Sequence, residues 1–262
     1  MKIINYNILR GGQFEAGNRL GKIIDFIKSE DPDIVGLLEC DQFHSNDNSV
    51  LNFVKKELNM RAIYHQTPSA ADMVLLYKDS VEMSQGKTYN RFMFHGLICA
   101  DFKKNNTVFR VILTHLNPYS SELRLAEAQI ITQLAHRQEN SVIFGDFNCP
   151  PYKSNIIPRD FKKTFFSRVS NHLGDLDLRA TQNFQSNGFL DLFECTNPTN
   201  LHEGSYPTPL GNKDEKYPTL VRIDNFYASR FFQTNCTSVE IKKNKSLDFT
   251  SDHYPLICNF NI

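Results

Sequence analysis

The sequence has no tryptophan, no pair of cysteines in CxxC spacing and no excess of either charge. Its 29 basic residues balance 29 acidic ones, so nothing marks a surface that tracks a polyanion along its length. A nucleic-acid substrate gripped by a local patch or through a metal remains compatible with that balance. The six cysteines (Cys40, Cys99, Cys149, Cys195, Cys236 and Cys258) are scattered. Several lie in apolar runs such as GLICADF and PLICNF, which suits buried free thiols and argues against a zinc or disulfide framework. No apolar run approaches the ~20 residues of a membrane span. The opening MKIINYNILRGG is too short and too interrupted for a secretory h-region. These absences predict a soluble, reduced, cytoplasmic protein, with a monomer favoured. No repeat, low-complexity tract or linker divides the chain, so residues 1–262 are expected to form a single domain.

The apolar runs that are present are short and punctuated. IINYNI reads as a strand, and RLGKIIDFIKS as a helix with Leu20, Ile23, Ile24 and Ile27 on one face. A buried strand restarts in DPDIVGLLEC, and NSVLNFVKKELN reads as a second helix leading into RAIYHQ. DMVLLYK, HGLICADF and VFRVILTHL read as strands. SSELRLAEAQIITQLAHRQ is a long helix, with Leu123, Ile130, Ile131 and Leu134 on one side. SVIFGDFN is again a strand. RDFKKTFFSRV reads as a basic amphipathic helix and GFLDLFE as a short one, before the closing strands LVRIDNFYAS, CTSVEI and YPLICNFNI. Strands flanked by helices that cover them predict a layered α/β domain.

The chemistry sits where these strands stop. The first carries Asn5 and Asn7, and DIVGLL ends on Glu39. VILTHL ends on His115, with Asn117 just beyond. VIFGDFN ends on Asp146 and Asn148, VRIDNFYAS carries Asp224, and Asp252 and His253 precede the last strand. Any one of these is ordinary turn chemistry. Gathered at one edge, they suit one reaction. Glu39, Asp146 and Asp252 are hard oxygen ligands that select Mg²⁺ or Mn²⁺ over zinc. Such an ion polarises a phosphoryl oxygen and stabilises a leaving oxyanion, while histidines and amides donate to charge developing on phosphorus. No serine, threonine or cysteine stands convincingly beside a base, which favours attack by water.

NYNILRG, DIVGLLEC, THLNPYSSELRLAEAQ, VIFGDFNCPP, GFLDLF, RIDNFYAS and SDHYPL occur in the order found in the endonuclease/exonuclease/phosphatase superfamily. This is the group of deoxyribonuclease I, exonuclease III, the tyrosyl-DNA phosphodiesterases, the deadenylases and the neutral sphingomyelinases. The resemblance spans essentially the whole chain and implies a four-layer αββα sandwich of two mostly antiparallel sheets flanked by helices. It implies Glu39 as central metal ligand, Asp252 as a further metal-side carboxylate, and Asn7 beside metal and phosphate. Asp146 would orient or deprotonate the water, and Asn148 would hold water and phosphate. His253, ion-paired to Asp224, would serve in proton transfer, with His115 stabilising the transition state from the other side. Asn117 joins Asn7 and Asn148 on the substrate side, and Arg159, Lys162, Lys163 and Arg168 are candidate phosphate contacts. Asp72 is a candidate support for His115, as a carboxylate is in deoxyribonuclease I. Glu15, Asp41, His44 and residues 103–106 read as solvated faces and turns.

Two departures bear on substrate. Leu38 stands where many members have Gln, and His115 stands where abasic-site endonucleases have Tyr. With no tryptophan beside its RID motif, the chain looks more like the histidine-bearing branch. The expected activity is a Mg²⁺- or Mn²⁺-dependent phosphodiesterase acting on nucleic acid. A lipid or small-molecule phosphoesterase (sphingomyelinase- or inositol-phosphatase-like) is the alternative within enzymes. A catalytically silent binding module on the same fold is the alternative outside them, although no ligand of the set is missing.

Overall fold

Strand periodicity places one row of side chains between two sheets and the other row under helices, which accounts for most of the architecture. The computed structural model describes residues 1–13, 17–153, 168–200, 203–212 and 220–262. In chain order its strands are β1 (Lys2–Asn7), β2 (Ile34–Leu38), β3 (Arg61–His65), β4 (Met73–Tyr77), β5 (Glu82–Tyr89), β6 (Leu97–Lys104) and β7 (Thr107–His115). There follow β8 (Ser141–Asp146), β9 (Leu190–Asp191), β10 (Asp224–Ala228), β11 (Cys236–Ile241) and β12 (Leu256–Phe260). The described helices are α1 (Leu20–Glu30), α2 (Ser45–Leu58), α3 (Ser121–Ala135), α4 (Arg179–Ser186), α5 (Leu192–Thr196) and α6 (Arg230–Asn235).

One six-stranded sheet runs β11-β12-β1-β2-β4-β3 and the other β5-β6-β7-β8-β10-β9. Each has one parallel pair at its centre, β1–β2 and β7–β8, and antiparallel neighbours elsewhere. The inward row (Ile3, Ile34, Leu75, Val111, Leu113, Val142, Phe144 and Phe226 among others) fills the space between the sheets. On the outer faces, α1 and α2 cover Ile4, Tyr6, Val35 and Leu37. α3 and α4 cover Ile112, Ile143 and Tyr227. The result is the αββα sandwich. Parallel strands end together, so registers Asn7↔Leu38 and His115↔Asp146 bring four strand ends to one edge.

Several sequence expectations need correction. The exposed side of α3 includes Leu123, at 54 % exposure, and the buried side carries Arg124 and Glu127. Those charges are buried because they bind backbone groups of neighbouring loops, as described below. β5 escaped notice because nearly all of it is exposed, so no apolar alternation marks it. GFLDLFE is a two-residue strand followed by α5 rather than a helix throughout. RDFKKTFFSRV lies outside the described residues except at its last two positions. All six cysteines are free, four of them buried. Among the described residues no helix is long and apolar enough to cross a membrane.

Candidate active site

The inward row of each central strand is apolar until its last steps, where it becomes polar. Val142 and Phe144 are followed by Asp146, Val111 and Leu113 by His115, and Ile3 by Asn5 and Asn7. β10 runs the other way and begins at this edge with Asp224. Gly145 lets β8 close on β7: its φ is +148°, and a Cβ would sit 1.8 Å from the Thr114 carbonyl oxygen. Glu39, one residue past β2, would follow Leu37 toward the helices by simple alternation. Its left-handed backbone, φ 57°, turns it into the cleft instead, and Asn148 is likewise left-handed at φ 46°.

Asp146 is the hub. Its Oδ1 accepts the Asn148 backbone N–H at 2.8 Å. Its Oδ2 lies 3.3 Å from Asn7 Nδ2, 3.5 Å from His115 Nε2 and 3.7 Å from His253 Nε2. Asn7 Nδ2 also donates to Glu39 Oε1 at 3.0 Å, while Asn7 Oδ1 accepts the Leu9 N–H at 3.2 Å. Asn7 therefore bridges two acids with its NH₂ and does not turn its oxygen toward a cation. Asp224 Oδ2 lies 2.7 Å from His253 Nδ1 and accepts Ser205 Oγ at 2.7 Å, and its Oδ1 accepts Asn5 Nδ2 at 3.2 Å. Of these groups His115, Asp146, Asn148 and His253 line a cleft of about 350 Å³ together with Glu39, Asp41, Asp252, Arg10 and an aromatic rim, while Asn7 and Asp224 stand behind its wall.

The two histidines differ in charge. Burial opposes a charge on His253, but the carboxylates of Asp224, Asp252 and Asp146 override it and hold its pKa well above the ordinary value. Burial and the neighbouring His253 push His115 down to about 3, so its ring is neutral. The acids are crowded. Burial and the Asp224 charge raise Asp146 to about 7. Burial, with Glu39 adding to it, raises Asp252 and Asp41 to about 6.

That crowding of acids fits a cation. Asp146, Asp224 and His253 place ligand atoms within 4.8 Å of one another, yet Asp224 is not among the residues that line the cleft and His253 is held protonated. The donors that remain are the carboxylates of Glu39, Asp41, Asp252 and Asp146. An all-oxygen set of this kind suits Mg²⁺ or Mn²⁺.

A profile of the Endonuclease/Exonuclease/phosphatase family matches residues 4–253. The chain belongs to that family. A search of curated protein sequences finds no significant match. Among solved structures, an AP endonuclease from Archaeoglobus fulgidus superposes with TM-score 0.73 at 18% identity, covering 100% of both chains. A Neisseria 3′ phosphatase bound to a product DNA hairpin gives TM-score 0.72 at 17% identity, again over 100% of both chains. Truncated Caenorhabditis elegans TDP2 gives 0.66 at 16%, covering 99% of this chain and 96% of that one. At these identities the structures share the fold.

Within this member of the family, Glu39, His115, Asp146, Asn148, Asp252 and His253 all line the cleft. Asn117 does not. Its Oδ1 accepts the Tyr119 and Ser120 N–H groups at 2.8 and 2.9 Å and shapes the loop after β7. Arg159, Lys162 and Lys163 lie outside the described residues, whereas Arg168 lines the cleft. Asp72 does not support His115: it accepts from Tyr64 Oη and the Thr67 N–H and contacts His44 Nδ1. The ring behind His115 is His95, stacked at 4.0 Å, and His115 Nδ1 has no partner. Arg222 pairs with Asp191, which leaves Asp224 to His253. Asp41, read from sequence as a solvated turn, is a half-buried member of the acid cluster. Asp41 follows Glu39 by two residues, a spacing that could have flagged it. His95 enters because β6 starts antiparallel to the end of β7 (Leu97↔Thr114), a pairing no local pattern announces.

Proposed function

We propose that the chain is a divalent-cation-dependent phosphoester hydrolase whose substrate is a phosphodiester in nucleic acid. The observation that carries this reading is the Asp146 carboxylate oxygen lying between two imidazoles, 3.5 Å from His115 Nε2 and 3.7 Å from His253 Nε2, in a cleft also lined by Glu39, Asp41 and Asp252. Glu39, Asp252 and Asp41, with Asp146, would hold the cation, which when bound polarises a phosphoryl oxygen and stabilises the leaving oxyanion. Asp146 orients a water and accepts its proton, a role suited to a carboxyl whose pKa is raised to about 7. His253, fixed by Asp224 through Nδ1, presents a protonated Nε2–H to the phosphoryl group. Neutral His115 donates to the same developing charge from the other side of Asp146. Asn148 and Asn7 hold the carboxylates in register.

The nucleic-acid part of the reading is supported by fold neighbours described as an AP endonuclease, a TDP2 and a DNA-bound 3′ phosphatase. It is tested by a substrate panel of single-stranded DNA, duplex DNA, RNA, 5′-tyrosyl DNA, phosphoinositide and sphingomyelin, each with Mg²⁺ or Mn²⁺. Nucleic-acid hydrolysis that chelator abolishes and added cation restores is the expected outcome. Hydrolysis confined to the lipids would overturn the substrate. Full activity of metal-free protein in excess chelator would overturn the cation.

A further inference from the structure

A ladder of rings leads from the reaction centre to solvent. His95 stacks on His115 at 4.0 Å with planes 16° apart, and Phe94 meets His95 edge-on at 4.7 Å. Tyr119 meets Phe94 at 5.6 Å, and the Arg168 guanidinium lies 5.7 Å from the Tyr119 ring centre. All five line the catalytic cleft. The inner two are buried, but Phe94 is 37 % and Tyr119 64 % exposed, so packing does not explain the outer rungs.

The outer rungs are nonetheless held in place by two charges buried on α3. Glu127 accepts the Phe94 N–H at 2.6 Å through one oxygen and the Asn117 N–H at 2.7 Å through the other. Asn117 in turn accepts the Tyr119 N–H. Arg124 donates to the Asn117 carbonyl at 2.8 Å and to the Arg168 carbonyl. Phe94, Tyr119 and Arg168 are thus tied to one helix, a preorganised surface that loses little freedom on binding.

We propose that Phe94, Tyr119 and Arg168 form a stacking platform for an unpaired nucleobase next to the scissile phosphate, so that the site takes single-stranded in preference to base-paired nucleic acid. This rests on the nucleic-acid reading above. An aromatic face stacks on a base only where that base has left its own stack, as in a single strand. Arg168 at the ring adds a cation for the adjoining phosphate. Among the described residues the cleft has two arginines, Arg10 and Arg168, and Arg10 is engaged by Asp41 at 3.2 Å. A lipid surface calls for a wider apolar face free of acids, whereas these rings border a carboxylate cluster.

The test compares KM and kcat for a single-stranded oligodeoxynucleotide, its duplex, and the same strand with abasic analogues flanking the scissile phosphate. Wild type should favour the intact single strand, and removing the flanking bases should raise KM about 10- to 100-fold. Phe94→Leu and Tyr119→Leu should lose that discrimination between intact and abasic strands, the change appearing in the ratio of their KM values. Tyr119→Trp supplies a binding signal, because the chain has no other tryptophan. Its fluorescence should be quenched by the single strand, and not by duplex or anionic phospholipid vesicles. Variants that still discriminate intact from abasic strands as wild type does would overturn the platform. So would quenching by duplex to the same degree, or by vesicles alone. If no nucleic acid is hydrolysed, the functional reading falls separately. Quenching by the single strand would then still support the platform, and its absence would overturn both.

Discussion

Two imidazoles flank one carboxylate oxygen of Asp146: carboxylates hold one protonated, and burial with that neighbouring charge keeps the other neutral. Behind His253 is the Asp224 carboxylate at 2.7 Å, and behind His115 is the uncharged ring of His95. Substitutions should separate these roles. Glu39→Gln keeps the side-chain size but removes a charge from the acid cluster, so calorimetric titration should show weaker cation binding together with slower turnover. His253→Ala leaves the acids intact, so the cation should still bind while single-turnover rates fall by ~10²–10⁴-fold or more. Full turnover in His253→Ala would rule out its role in proton transfer. The buried neutral histidines also set an acid limit on stability. His95 and His115, depressed to about 2 and 3, stay unprotonated in the folded chain while the unfolded chain protonates near 6.5. These two rings therefore contribute a loss of stability as pH drops below about 6.5, by up to ~1.4 kcal/mol per pH unit for each ring, against the opposite contribution of the raised carboxyls of Asp146, Asp252 and Asp41. His95→Phe should flatten that limb in urea titrations between about pH 6.5 and 4. A curve parallel to wild type would refute it. The sequence revealed the strand-end residues because each closes an apolar run. It hid His95 and the true partners of Asp72 because those contacts are set by strand pairing across the sheet.

At the scale of elements, β7 and β8 meet so closely that one side chain decides whether they can pair. Gly145→Ala would place a Cβ 1.8 Å from the Thr114 carbonyl oxygen. A loss of ~3 kcal/mol or more is expected, in the range of overpacked and strained sites. Gly174→Ala is the control. Its φ is +86° with no atom within 4 Å, so only backbone strain applies, and a loss nearer ~1 kcal/mol is expected. Equal urea midpoints for the two variants would show that the close approach is not what matters. Legibility differed by element for physical reasons. α1 was readable because Leu20, Ile23, Ile24 and Ile27 are the residues it buries. α3 departs from its apolar pattern because Arg124 and Glu127 hold loops from its buried side, where charge stands in place of an apolar residue. β5 left no trace because almost nothing along it is buried.

For the molecule as a whole, the order of the motifs carried the four-layer fold, while the width and rim of the cleft emerged only from packing. Four acids opening on one cleft should make a divalent cation a stabiliser as well as a cofactor. At a hundred times its dissociation constant it should add ~2.7 kcal/mol, raising the melting temperature in a scanning calorimeter. Glu39→Gln should reduce that rise, and a wild-type melting temperature indifferent to Mg²⁺ and Mn²⁺ would show that the acids hold no ion. The position of β12 has a further consequence during synthesis. β1 sits between β2 and β12, with Asn5 opposite Leu256, so β1 receives its second neighbour only after β2 through β11 have been made. Asp252 and His253 leave the ribosome with β12. A nascent chain therefore carries Glu39, His115 and Asp146 well before it carries Asp252 and His253. If the proposed hydrolase needs His253, the cleft stays inert during synthesis until the strand that follows His253 has been made and has paired with β1.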